Sequence, residues 1–487
     1  MPPICRPRIT TAASLRAFCR NRSTHKEQIL IGLLIGIAIV AVAAAMIVRN
    51  YQPQTVLLLA GLILLASAAI LFPEQFALHH KAKSSGWTGF DVFAVVKDSL
   101  VAQLSGIGLI IMAAAAFADY MDHIGATAAM VRLCIKPLQA IKAPHLVVAL
   151  SYVLGQCLHI AIPSAAGLAM LLLVTFFPMM VSLGVSKPAA AATIALCSFM
   201  DLGPAVGTAN LAAKTAGLAP TIYFVQYQLP VVAWVVPVVA ILIFVTCRSF
   251  DGKSDVSVAE ATSEAAQGAE IRSDAPNLYA LLPLVPIALI LLFSPLLVKD
   301  ISIDVVTAMV IGAVVGLACE LCIKRDVRGV LKGFQVFFNG IGSSFASVVS
   351  LLVCADVFAQ GVEAIGAVDF LIASARNAGF GVDTMSVVMT LIVAVTAVIT
   401  GSGVAAFFAF SGLAPGIATK FGVSAVTMLL PMQLVAAMGR AISPVSGVIV
   451  AVSKAGECAP FDIVRRTVIP ALGGMITMMV VNYLRNG

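Results

Sequence analysis

Charge is what this chain lacks. Of its 487 residues only 11% are Asp, Glu, Lys or Arg, 60% are hydrophobic, and mean hydropathy is +1.04. A soluble domain is about 25% charged and roughly 45–50% apolar. The composition therefore excludes a soluble enzyme, a disordered chain and a secreted disulfide scaffold. Aromatics are scarce as well, at 7%, and no basic patch is interleaved with them, so nucleic acid is not a partner. There is no H-E-x-x-H, G-x-S-x-G or P-loop pattern and no intramembrane Asp pair in a G-x-G-D context, which argues against a hydrolase, an intramembrane protease or an ATP-driven pump. The chain is read as a non-enzyme without a cofactor. Ten cysteines lie mostly inside apolar runs; the one C-x-x-C, Cys319 to Cys322, has a spacing that chance also places on a helix face.

What the chain has is long apolar runs, enough for roughly ten to twelve spans at about 20 residues each. The net charge of +7 is local: Arg6, Arg8, Arg16, Arg20, Arg22 and Lys26, opposed by Glu27, put +5 of it in residues 1–28. The run that follows, 29–48, is long for a signal peptide and reads as a retained span.

An internal repeat covers most of the sequence. FADYMDHIGA (117–126) returns as FAQGVEAIGA (358–367). Pro204 matches Pro444, Gly207 matches Gly447, Lys214 matches Lys454 and Pro230 matches Pro470, an ordered series with offsets near 240. The halves, 29–248 and 277–487, are separated by a polar, Ser- and Ala-rich loop, 249–276. Residues 125–142 space Arg132, Lys136 and Lys142 among apolar residues, as an interfacial helix does.

Each half carries two interrupted apolar segments in corresponding positions. In the first they break at Ile162–Gly167 and Leu202–Thr208, in the second at Thr400–Gly403 and Ser443–Gly447. Unpaired backbone groups are not tolerated against lipid, so irregular backbone at membrane depth must line a cavity. Paired breaks of this kind point to a transporter binding site, where half-helix N-termini face an anion and unwound carbonyls face a cation. If the first broken segment of each half is a re-entrant hairpin, five crossings remain per half, and an odd number inverts the second half relative to the first. The expected fold is an all-α polytopic membrane protein built from two inverted repeats, each with about five spans, a re-entrant hairpin and a broken helix.

The breaks supply the candidate substrate-binding residues: Ser164, Ala165, Gly167, Pro204, Gly207, Thr208, Ser402, Gly403, Arg440, Ser443, Pro444, Ser446 and Gly447. Arg440 stands out. An Arg at the centre of a membrane helix costs about 2.5–3.5 kcal/mol on insertion scales, so it needs a partner. It binds a substrate carboxylate, steadies the unwound loop, or pairs with Asp201, its near mirror beside the first break. Ser164, Asp201 and Ser402 are candidates for a coupling ion, Na+ or H+. Lys214 and Lys454 read as interfacial, His159 as a packed core histidine, and Asp119 and Asp356 as structural caps.

ITGSGVAAFFAF (399–410), GRAISPVSGVIVAV (439–452) and PFDIVRRTVIP (460–470) resemble the anaerobic C4-dicarboxylate uptake (Dcu) C-type family of the ion-transporter superfamily. SGIGLIIMAAAAFADYMDHIGA and KPLQAIKAPHLVV in the first half resemble it too, so that coverage runs from about residue 29 to the end. The resemblance implies a carrier of succinate, fumarate, malate or similar dianions in a bacterial inner membrane. It implies coupling to Na+ or H+ or exchange, and an elevator motion as a homodimer. It also implies both chain ends outside, with Arg132, Lys136, Lys142, Lys324, Arg325, Arg328, Lys332, Arg465 and Arg466 in cytoplasmic loops. The sequence departs from the family at the tips. Val404 replaces an Asn, Pro163-Ser164-Ala165-Ala166 stands for Ser-Ser-Ala-Thr, and Thr208 replaces an acidic residue. Lost polar groups of this kind shift the expected ligand toward a less polar or longer organic anion. A second reading of the whole is the permease subunit of a binding-protein-dependent uptake system for organic acids.

Overall fold

The computed structural model describes residues 32, 34–43, 45–47, 49, 51–73, 76, 85–141, 143–251, 275–294, 301, 303–366 and 381–486. The basic tail, Lys142 and most of the inter-repeat loop lie outside them. The described residues contain helices and no strand.

The first half comprises α1 (Pro53–Leu71), α2 (Thr88–Leu104), α3 (Ile107–His123), α4 (Ala126–Gln139), α5 (Pro144–Ala161), α6 (Ala165–Ser182), α7 (Lys187–Leu196), α8 (Gly207–Thr215) and α9 (Leu229–Asp251). The second comprises α10 (Val285–Leu292), α11 (Val305–Lys324), α12 (Val327–Gly333), α13 (Gln335–Ser344), α14 (Ser350–Ala364), α15 (Val382–Thr400), α16 (Gly403–Ser411), α17 (Ala414–Phe421), α18 (Val426–Arg440), α19 (Gly447–Ala455) and α20 (Pro460–Asn486). Eight helical segments among the described residues are long and apolar enough to cross a membrane, or up to ten if each of two bent pairs counts as one span. A shorter apolar helix covers Leu34–Ile47. The outward side chains, such as Ile70, Trp234 and Ile241, are large and apolar, as a lipid-facing surface requires.

The interruptions fall where the sequence places them. α5 ends at Ala161, and α6 starts after Ser164, whose Oγ accepts from the Gly167 N–H at 3.1 Å. α15 ends at Gly401, which takes the left-handed conformation (φ 70°), and Ser402 Oγ accepts from the Ala405 N–H at 3.2 Å to start α16. Both tip serines are thus N-caps. Three features carry no clear sequence signal. The 99–121 run bends by 50° between α2 and α3, and α16 and α17 meet at 48°. π-helical stretches occupy Tyr223–Gln228 and Phe345–Val349. In addition, α9 runs to Asp251, three residues into the expected loop.

Related elements of the two halves exchange contacts. α1 packs on α14, as α11 packs on α3; α7 lies against α19, as α18 lies against α8; and α9 packs on α20. The α1–α14 approach is close because Gly61 has no side chain: a Cβ there would stand 2.8 Å from the Phe358 backbone N. α7 and α18 are the most enclosed elements. Every residue from Ala189 to Leu196 and from Val426 to Gly439 is buried. The two broken helices therefore meet at the centre, and any polar group they carry must find its partner there.

Candidate functional site

The first break, residues 197–206, passes beside the end of α18, and this brings Asp201 to Arg440. Arg440 Nη2 donates to the Ser198 carbonyl at 2.7 Å and to Asp201 Oδ1 at 3.3 Å. Asp201 is 4% exposed. Its Oδ2 accepts from Thr208 Oγ1 at 3.0 Å, and His159 Nε2 stands 3.5 Å from Oδ1. His159 is itself fixed through Nδ1, 3.0 Å from the Ile162 carbonyl at the neighbouring tip. The pairing of an acid beside one break with a base beside the other is thus formed. It satisfies the rule that a buried charge needs a partner.

A second layer holds the Asp201 backbone. Gln433 Nε2 donates to the Asp201 carbonyl at 2.7 Å, and Gln228 Nε2 donates to the same oxygen at 3.2 Å and to Gln433 Oε1 at 2.8 Å. Tyr223 O–H reaches Gln433 Oε1 at 3.3 Å, and Gln228 Oε1 accepts from the Gly203 N–H at 3.2 Å. The π-helical stretch carries both Tyr223 and Gln228 to this network. Asn210 Nδ2 ties down the carbonyls of Pro204 (2.7 Å) and Val206 (2.9 Å), bracing the break itself. Gln433 and Gln228 were not among the sequence candidates. For Gln433 the signal was present all the same, a lone amide inside an apolar run, which cannot be buried unpartnered; Gln228, two residues after Gln226, gave no such signal.

A cavity of about 350 Å³ opens on this cluster. Its walls include Ser164, Ala165, Gly207, Thr208, Asp201 and Arg440 among the sequence candidates. Two elements not expected there also contribute, Asp119 on α3 and Ser343 and Ser344 at the end of α13, and the second-half tip helix α16, which was expected, contributes Val404 and Phe408. The N-termini of α6 and α8 both reach the cavity, at Ala165 and Gly207. Two helix N-termini and a guanidinium are features that favour an anion, by helix dipole and fixed charge, and they share the chamber with the carboxylates of Asp201 and Asp119. Its volume falls at the lower end of the roughly 300–1,000 Å³ usual for small-molecule sites.

The remaining candidates are placed elsewhere. Gly167 lies in the first turn of α6 and donates to the Ser164 cap, and the Pro204 carbonyl is taken by Asn210. Ser402, Gly403, Ser443, Pro444, Ser446 and Gly447 are not in the cavity wall. At the second break the turn at Gly401–Ser402 sits directly on the unwound backbone, with Gly401 against Ser446. Packing there leaves the Ser443 and Ser446 hydroxyls buried without a hydrogen-bond partner among the described residues. The two halves repeat in sequence, but the chamber is lined mainly by the first half's tip and break.

Asp119 and Asp356, expected to act as caps, are both in helix interiors. Asp356 accepts from Gln360 at 3.0 Å, whereas Asp119 faces the cavity. Among the described residues no group of three or more His, Cys, Asp or Glu is arranged to hold a metal ion. Cys319 and Cys322 are both free thiols.

An apolar helical exterior and two buried broken helices beside a chamber that holds a buried ion pair define the class: a multi-pass helical membrane transporter. The chain belongs to the DcuC family, whose model, described as C4-dicarboxylate anaerobic carrier, matches residues 31–485. It is 34% identical over 455 residues to the probable anaerobic C4-dicarboxylate transporter DcuC of Vibrio cholerae, covering 93% of this chain and 98% of that one. It is likewise 34% identical over 454 residues to the anaerobic C4-dicarboxylate transporter DcuC of Escherichia coli K12, covering 93% and 96%. Among solved structures it is similar to the YdaH transporter of Alcanivorax borkumensis, described as having an unusual topology. That likeness has a TM-score of 0.50 at 15% identity, over 89% of this chain and 98% of the other. At that identity it bears on the fold alone.

Proposed function

We propose that this protein is a secondary active transporter of C4-dicarboxylates or related organic anions, working by ion coupling or exchange. The observation that carries the reading is the convergence of Arg440 with the N-termini of α6 and α8 on one chamber. The names of the relatives agree with it. A substrate carboxylate entering the chamber competes with Asp201 for Arg440, gaining a charge-assisted contact as the internal pair opens. Thr208, Val404, Pro163 and Ala166, the places where the sequence departs from the family pattern it resembles, all line the chamber. Their small or apolar side chains favour acceptance of a less polar or longer anion beside succinate. Coupling to Na+ or H+, an elevator motion, a homodimer and a bacterial inner-membrane location complete the proposal. A Na+ at Ser164, Ser402 and Asp201 would have to compete with the N-cap bonds of the two serines and the Arg440 pairing of Asp201.

The purified protein alone, reconstituted in liposomes, should take up labelled succinate, fumarate or malate. Uptake that appears only with a soluble binding protein would favour the multi-component reading instead.

The inverted arrangement of the halves is part of the proposal and has its own test. Cysteines introduced as Ser164→Cys and Ser402→Cys should react with small polar reagents, each from a different side of the membrane. Substrate should protect Ser164→Cys, which lines the chamber, and not Ser402→Cys, which does not. Labelling of both from one side would sink the inverted model.

A further inference from the structure

We infer that Asp119 carries a coupling proton together with the organic anion; the inference rests on the transport reading above. Among the described residues the chamber wall holds one cationic side chain, Arg440, and two carboxylates, Asp201 and Asp119. A dianion that displaces Asp201 from Arg440 therefore enters a chamber that already carries net negative charge. Opposite charge travelling with it offsets the repulsion from these carboxylates, of which Asp119 is the one exposed to the chamber. Asp201 is engaged by Arg440 and Thr208. The Asp119 carboxylate has no hydrogen-bond or ion-pair partner among the described residues and is the group left to take up a cation.

The repeat shows that the fold does not need a carboxylate at this position. Aligning FADYMDHIGA with FAQGVEAIGA places Gln360 opposite Asp119. Gln360 donates to Ser99 at 2.9 Å and to Asp356 at 3.0 Å, so a neutral amide satisfies the helix packing in that half. Asp119 is not a cap either, since it lies in the interior of α3, beyond the reach of N-terminal N–H groups.

The surroundings favour a proton over a metal ion. Asp119 Oδ2 lies against Gly340 of α13, and among the described residues no group of three or more His, Cys, Asp or Glu gathers here to hold a metal ion. α13 and the π stretch after it bring no titratable group. From α11 Glu320 is paired with Lys324 at 2.6 Å, and from α8 Lys214 lies against Gly106 at the far end of α3. Arg132 of α4 donates to the Ala275 carbonyl, Tyr279 lies in the 3-10 stretch beside α3, and the Lys97–Asp98 pair of α2 is exposed. On α3 itself Asp122 lies one turn on, and Tyr120 and His123 complete its titratable groups near this end. Across the chamber stand Asp201 and Arg440. The proton comes from water on the loading side, bonds to an Asp119 oxygen while the anion occupies the chamber, and returns to water on the other side.

The test uses wild-type and variant protein in liposomes. Wild type should exchange labelled for unlabelled succinate without any gradient. Under an inward acid gradient it should accumulate succinate, by up to about tenfold per pH unit for each coupled proton. Asp119→Asn should keep the exchange, lose its pH dependence and no longer accumulate succinate above equilibrium. Asp119→Glu should keep accumulation with a displaced pH midpoint, and it decides the matter if the Asn variant is not recovered folded. Proton-driven accumulation by Asp119→Asn, a wild-type midpoint in Asp119→Glu, or wild-type accumulation that follows Na+ and ignores pH would each overturn the assignment. Failure of the wild type to exchange any C4-dicarboxylate would instead overturn the transport reading, and shows before any variant is compared.

Discussion

Arg440→Ala should abolish dicarboxylate transport, and Arg440→Lys should reduce it severely. The guanidinium bridges the Ser198 carbonyl and Asp201, and it also faces the chamber. Lys keeps the charge but not the planar fork that serves several acceptors at once. Removing Arg440 alone leaves Asp201 buried with its charge uncompensated, a loss of about 3–5 kcal/mol for pairs of this kind. Folded yield should therefore fall with Arg440→Ala and recover in the double variant Asp201→Asn/Arg440→Ala, which removes both charges. Transport should not recover with it, because the anion's own partner is gone. Asp201→Asn alone should show the opposite split. With no internal competitor for Arg440, substrate binds more tightly and leaves more slowly, so KM and the maximal rate should fall together. Liposome uptake and detergent-extracted yield measure these outcomes. Near-normal transport by Arg440→Ala, or restored transport in the double variant, would remove Arg440 from the substrate site.

Gly401→Val should be the most damaging change at a position that touches neither the chamber nor a charge. Gly401 has φ 70°, a conformation that costs an L-residue roughly 1–2 kcal/mol. Its space is also closed: a Cβ would stand 2.9 Å from both the N and Cα of Ser446. These are backbone atoms of the second break and cannot rotate away as a side chain would. The Gly401–Ser402 turn must lift off the break, which moves α16 with its chamber-lining Val404 and Phe408. Transport should fall by about tenfold or more, equivalent to at least about 1.4 kcal/mol in the working conformation, and the thermal midpoint should drop. Gly422→Ala is the control. Its φ is 75° but nothing lies within 4 Å of the added carbon, so it meets only the conformational cost. Equal effects of the two substitutions would show that backbone conformation, not the tip-on-break contact, is what Gly401 provides.

The sequence by itself determined the class, the repeat and the places where helices stop. Composition decides membrane against water, because apolar surface on this scale has no other solvent. Ser164, Gly401 and Ser402 act within a few residues of themselves, through caps and a left-handed turn, so local chemistry sets the breaks. Arg440 and Asp201 could be singled out because a charge in an apolar run must be partnered somewhere. Only the tertiary structure decided where. The packing of α8 on α18 and of α7 on α19 brings Asp201 to Arg440 across 239 residues of chain, and the π-helical turn brings Gln228 to Gln433 across 205. It also broke the symmetry that the repeat suggested. Of two equivalent sets of tips and breaks, one opens on the chamber and the other closes on itself, because Gly401 lets backbone meet backbone at the second break. Asp119 read as a cap because sequence shows only neighbours along the helix; which face of α3 borders the chamber depends on helices packed from the other half of the chain.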